Sequence, residues 1–354
     1  MTRSSGGGGT FTGVYHAFKE ECNRYLQRKR IPVSSKTSKM FNMTESEANI
    51  ELLTAESFAD LLPEIDTFIF GGDGPLWLRE GVITDMANLA NLLIEHKKEV
   101  LILTNDTNYS RETHETKLSQ HRFNKKLNKD RIITPGSLAA NYINDNVKST
   151  KKGVYLLASG GIEDDLKEHG INLFGPGPDA LSSLPNEGAV FTIDLSVRSK
   201  DVCAVVVGLD RHLSFKKLVK AASYIKDTKC LFLAINDNAK LGEPNEDVVI
   251  PDAGALVAAL KKATGREPVI LGKPYSPGYE YIKKKWNIDE SRTIMICNNI
   301  NCDVLFGRNH GMRTLLIISN PHELDEMEKM RSSHSDALPH YYITTISTIL
   351  PQNK

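Results

Sequence analysis

IDTFIFGGDGPLW, residues 65–77, runs from a short apolar stretch into a glycine-rich turn that carries one acid, Asp73. The segment 65–70 reads as a buried strand, and TDMANLANLLIEHKK (84–98) reads as an amphipathic helix after the turn. EVLILT (99–104) is a second buried strand, followed by a polar turn and another helix. The pattern recurs at VYLL (154–157), CAVVV (203–207) before SFKKLVKAASYIKD, CLFLAI (230–235), EPVIL (267–271), RTIMI (292–296) and RTLLIIS (313–319). Short apolar strands separated by helices specify an α/β protein with parallel sheets.

In such folds ligands bind in the loops beyond the carboxyl ends of the strands. Those loops are FGGDGPLW (70–77), LTNDTNYSR (103–111), LGKPYSP (271–277) and MICNNINCDVLFGRNHGMRTLLI (295–317). Taken in order, they resemble the four signature loops of the haloacid-dehalogenase-like phosphatases. The likeness is greatest to the branch with a large cap between the second and third loops, which contains phosphoglycolate, pyridoxal phosphate and p-nitrophenyl phosphatases. It runs from about Leu52 to Tyr342 and includes AVVVGLDRHLSFKKL (204–218) and LPHYYI (338–343).

The resemblance implies a Rossmann-like parallel-sheet core over residues 50–136 and 265–354, with an α/β cap of 137–264 inserted. It also implies a definite chemistry. An Asp ending the first strand attacks phosphorus, and a second Asp two residues on moves protons. Mg²⁺ is held by the nucleophile and by an acid of the fourth loop. A Thr or Ser and a Lys hold the phosphoryl oxygens.

In this chain the nucleophile's place is taken by Gly71, which has no side chain. Asp73 matches the general acid/base, and Gly72, Thr104, Asn105 and Lys273 match the phosphate-holding positions. In the fourth loop the metal-ligating Asp has become Asn298, a second acid has become Asn301, and Asp303 keeps its carboxylate. Arg111, Asn236 and Asp237 match basic and cap positions that face substrate in this branch. Asp106 and Asp252 stand where the family has Asn and Gly, and are expected to push negative charge toward a phosphorylated ligand.

Losing a nucleophile typically lowers turnover by about 10⁴–10⁶-fold. The expectation is a pseudophosphatase with weak or no Mg²⁺ binding that still takes a small phosphorylated ligand. It would pair with itself or with an active relative. The alternative is an active Mg²⁺-dependent phosphatase on small phosphomonoesters, acting by a route the motifs do not reveal.

Composition sets the outer bounds. The chain of 354 residues has 44 basic and 44 acidic side chains, so nothing suggests a nucleic-acid surface. No run approaches the ~18–20 apolar residues of a membrane span. Five scattered cysteines fit reduced thiols in a cytoplasmic protein.

Residues 1–49 read as a flexible basic extension, with eight Lys/Arg against Glu20 and Glu21 up to residue 40. No apolar core of a secretory signal is present there. Those two acids weigh against a mitochondrial transit peptide, which stays the minor alternative.

Overall fold

The computed structural model describes residues 50–73, 76, 84–148, 152–158, 160–179, 201–241, 248–318, 321–332 and 338–351. The basic extension expected over 1–49 lies outside the described residues. In chain order the strands among them are β1 Glu51–Leu52, β2 Thr67–Gly71, β3 Glu99–Leu103, β4 Ile132–Ile133, β5 Gly153–Leu157 and β6 Asn172–Phe174. They continue as β7 Val202–Val207, β8 Leu231–Ala234, β9 Val269–Ile270, β10 Thr293–Cys297, β11 Arg313–Ile317 and β12 Tyr341–Ile343. The chain divides into two compact units, residues 1–66 with 290–354, and residues 67–289.

Within the first unit the strand order is β1-β12-β11-β10, and the pairs are parallel. Thr293–Cys297 is buried along its whole length, which is why its sequence reads as an unbroken apolar run rather than an alternation. The helix Ala55–Leu61 starts at a reciprocal cap. Thr54 accepts the Ser57 amide while the Ser57 hydroxyl accepts the Thr54 amide, satisfying two otherwise orphaned donors.

Within the second unit β2, β3 and β4 form one parallel row, and β6-β5-β7-β8-β9 form a five-stranded parallel sheet. The helices Phe215–Ile225 and Ala253–Thr264 cover that sheet, with Ala221, Ile225, Leu256, Val257 and Leu260 packed against Tyr155, Leu157, Val205 and Val207. Asp252 begins the second of these helices by accepting the Ala253 amide at 2.7 Å, and Gly265, at φ +67°, ends it.

The expected parallel α/β architecture is present. Among the described residues no helix is long and apolar enough to cross a membrane.

Candidate functional site

The register between β2 and β3 sets the site. Gly71 lies opposite Leu103, so both strands end at one level and release their loops side by side. The Gly72 amide continues the ladder by donating to the Leu103 carbonyl at 3.0 Å. Gly72 then passes so close to the second loop that a Cβ on it would lie 2.5 Å from Thr104 Cβ. This close approach, not a positive φ, is what requires glycine there.

The next residue, Asp73, turns its carboxylate onto the second loop. Thr104 Oγ1 donates to Asp73 Oδ1 at 2.5 Å, and the Asn105 amide donates to Asp73 Oδ2 at 2.7 Å. Lys273 arrives from the third loop. Its Nζ lies 3.6 Å from Asp73 Oδ2 and donates to the Leu103 carbonyl at 2.9 Å. Asn105 clamps the third loop from both sides, accepting the Lys273 amide at 3.0 Å and donating to the Lys273 carbonyl at 3.1 Å. Glycine is again needed where loops touch: a Cβ at Gly272 would lie 2.5 Å from the Ile235 carbonyl oxygen.

Gly72, Asp73, Thr104, Asn105 and Lys273 are thus brought together. The donors lie beneath the acid. The Lys273 side chain is 1% exposed and Thr104 is 1% exposed, whereas the Asp73 side chain is 41% exposed.

The residues expected to face a substrate are placed differently. Arg111 is buried and its Nη2 donates to Glu168 at 2.8 Å, with Asp165 3.9 Å from its Nε, so acids of the helix Gly161–Glu168 neutralise its charge. Asn236 is buried just beyond β8 and accepts the Asn238 amide at 3.0 Å. Asp237 accepts a hydrogen bond from the Tyr275 hydroxyl, which that bond, with burial, pushes up to about 12.

Asp252, expected to repel an anion, is 4% exposed and is committed to capping its helix. Asp106 folds back on its own loop, accepting the Asn108 amide at 2.8 Å, and burial pushes its carboxyl upward. It also lies 3.8 Å from His114 Nε2. The His114 imidazole is wholly buried and is driven down to about 4, chiefly by that burial and also by Lys117. Motif reading missed this histidine, since a lone His three residues from a lysine carries no signal of its own.

The fourth loop belongs to the first unit. It opens with Asn298 beyond β10 and closes at Asp303, which is 2% exposed and accepts the Asn298 amide at 3.3 Å. Asn298 Oδ1 is buried without a hydrogen-bond partner among the described residues, and Asn301 is exposed. Cys297 and Cys302 are reduced cysteines outside any disulfide, and the Cys297 thiol donates to the Met295 carbonyl at 3.2 Å. Among the described residues no group of three or more His, Cys, Asp or Glu could hold a metal ion.

A family model described as haloacid dehalogenase-like hydrolase matches residues 68–172, and a second, HAD-hydrolase-like, matches 270–348. Phosphoglycolate phosphatase 2 of Arabidopsis thaliana is 30% identical over 306 residues, 85% of this chain and 97% of that protein. A putative NipSnap protein of Caenorhabditis elegans is 30% identical over 275 residues, 77% of this chain. The chain spans about half, 52%, of that relative's length. Among solved structures, a p-nitrophenyl phosphatase from Archaeoglobus fulgidus superposes with a TM-score of 0.65 at 20% identity, over 80% of this chain and 98% of that one, a likeness of fold.

Proposed function

Because the chain belongs to the haloacid dehalogenase-like hydrolase family, we propose that it is a catalytically silent member that binds a small phosphorylated ligand without turning it over. The observation that carries this reading is Gly71 at the end of β2, where the family's chemistry needs a carboxylate. A glycine side chain contributes neither an attacking oxygen nor a carboxylate ligand for a metal, so no aspartyl phosphate forms there.

Mg²⁺ serves phosphatases of this family, and the residues present fit it poorly. A hard dication needs several oxygen ligands with carboxylates among them. At the end of β2 Gly71 offers no side chain, and in the fourth loop Asn298 offers a neutral amide where the resemblance expects an acid.

What remains suits an oxyanion. The Thr104 hydroxyl, the Asn105 amide and the Lys273 ammonium converge on one point, with the ammonium supplying the positive charge. The phosphate esters handled by relatives such as the Arabidopsis phosphoglycolate phosphatase set the ligand class.

An assay with p-nitrophenyl phosphate and Mg²⁺ on the purified chain tests the reading. No turnover is expected. Turnover that disappears in Asp73→Asn overturns it, because a contaminating phosphatase would survive that substitution. Restoring Gly71→Asp together with Asn298→Asp is expected to bring back Mg²⁺-dependent activity.

A further inference from the structure

We infer that the phosphate cradle of this protein is occupied by its own Asp73 carboxylate, so that a phosphate oxyanion binds only by displacing it. The inference rests on the reading of that cradle as an oxyanion site. It adds that Asp73 acts there as a built-in competitor rather than as an acid/base.

The hydrogen-bond inventory carries the argument. Thr104 has one hydroxyl proton, and it goes to Asp73 Oδ1. Thr104 Oγ1 in turn accepts the Asp106 amide at 2.9 Å, which orients the hydroxyl so that its proton points at Asp73. Asn105 has one backbone proton, and it goes to Asp73 Oδ2. The Lys273 ammonium, held in place by the Leu103 carbonyl, lies 3.6 Å from that same Oδ2. All three groups suited to phosphoryl oxygens therefore face a single carboxylate.

Exposure gives the order of the layers. Thr104 and the Lys273 side chain are each 1% exposed, while the side chain above them is 41% exposed. An incoming anion meets Asp73 first. A carboxylate and a phosphate dianion cannot share three donors, because like charges at contact repel and each amide or hydroxyl proton serves one acceptor well. The first loop is anchored through Gly72, whose amide is tied to Leu103. The shortest displacement is thus a swing of the Asp73 side chain toward solvent.

The test is titration of inorganic phosphate, without divalent metal, followed by ³¹P NMR on the full chain, Asp73→Ala and Asp73→Asn. Asp73→Ala is expected to bind at least about tenfold tighter than the unaltered chain, the worth of one charge-assisted hydrogen bond no longer displaced. Asp73→Asn is expected to gain less, since its amide oxygen still accepts one donor, and it decides the question if the alanine variant fails to fold. Adding Lys273→Met to either variant is expected to abolish the gain. Equal affinity of all three chains, lost on Lys273→Met, overturns self-occupancy and leaves the oxyanion reading standing. No binding by any of them overturns both.

Discussion

Replacing Lys273 by Met keeps a stem of similar length in its buried slot and removes the ammonium, with its charge and its hydrogen bond. The two charges at Lys273 Nζ and Asp73 Oδ2 are 3.6 Å apart. That separation corresponds to about 1 kcal/mol in bulk water and about 5 kcal/mol at an effective dielectric constant near 20. Because the Asp73 side chain is 41% exposed, water screens the pair and the lower part of that range applies. The Leu103 carbonyl also loses a charged donor at 2.9 Å, a bond worth about 1.5–3 kcal/mol. Relief of the desolvation of a buried ammonium offsets part of both. The expected net loss is roughly 2–3 kcal/mol, read as a lower urea midpoint at unchanged slope. A cycle with Asp73→Asn should return a coupling of about 1–2 kcal/mol. A loss below about 0.5 kcal/mol, or a gain, would refute the claim that this ammonium holds the first, second and third loops together.

The same reasoning gives a larger effect where both charges are dry. Lys217 and Asp210 have side chains 0% and 1% exposed, and Lys217 Nζ also donates to the Gly177 carbonyl at 2.8 Å. Lys217→Met should cost about 3–5 kcal/mol by denaturant unfolding, and a cost under 1 kcal/mol would contradict the burial argument. Gly72→Ala forces a Cβ to 2.5 Å from Thr104 Cβ, and overpacking of that kind costs about 1–3 kcal/mol; an unshifted thermal melt would show that the loops give way freely. His114 titrates near 4 in the fold and near 6.5 when unfolded, so the unfolded chain binds the extra proton between those values. Its contribution to stability is therefore present above pH 6.5 and lost as pH falls toward 4, by about 2 kcal/mol between pH 7 and 5. His114→Phe should flatten that part of the pH profile of urea midpoints, and a profile unchanged by the substitution counts against it.

Much of the fold was legible because its longer strands are buried along their length. The apolar runs at 65–70, 99–104 and 292–296 correspond to Thr67–Gly71, Glu99–Leu103 and Thr293–Cys297. The strands Ile132–Ile133 and Val269–Ile270 are two residues long, too short for periodicity to mark, and their pairing is a property of the neighbours. At the site, the resemblance of the loops picked out Asp73, Thr104, Asn105 and Lys273, and the Lys273–Asp73 contact joins residues 200 positions apart (273 minus 73). What each acid does there was not legible. Asp252 looked like charge aimed at a ligand and is a helix cap, a role that Pro-Asp before an Ala-rich run signals on its own. Arg111 looked like a hand for substrate, yet its charge goes to Glu168, a partner 57 residues away that no local pattern names.

The departure at position 71 and the placement of Asp73 are linked by charge. With Asp at 71, the strand end would hold two carboxylates, and like charges so close disfavour joint ionisation and joint use of the same donors. In that arrangement the lysine and the loop amide have reason to attend to an incoming phosphoryl group, with a metal balancing the acids. With Gly71 there is no second carboxylate to repel Asp73, and nothing opposes its settling onto Thr104, Asn105 and Lys273. In the fourth loop Asn298 carries no charge, and Asp303 accepts the Asn298 amide. Retention of the donors therefore does not require catalysis to explain it. Removing Lys273 would leave a partly covered carboxylate without its counter-charge, so the fold itself has a use for this ammonium.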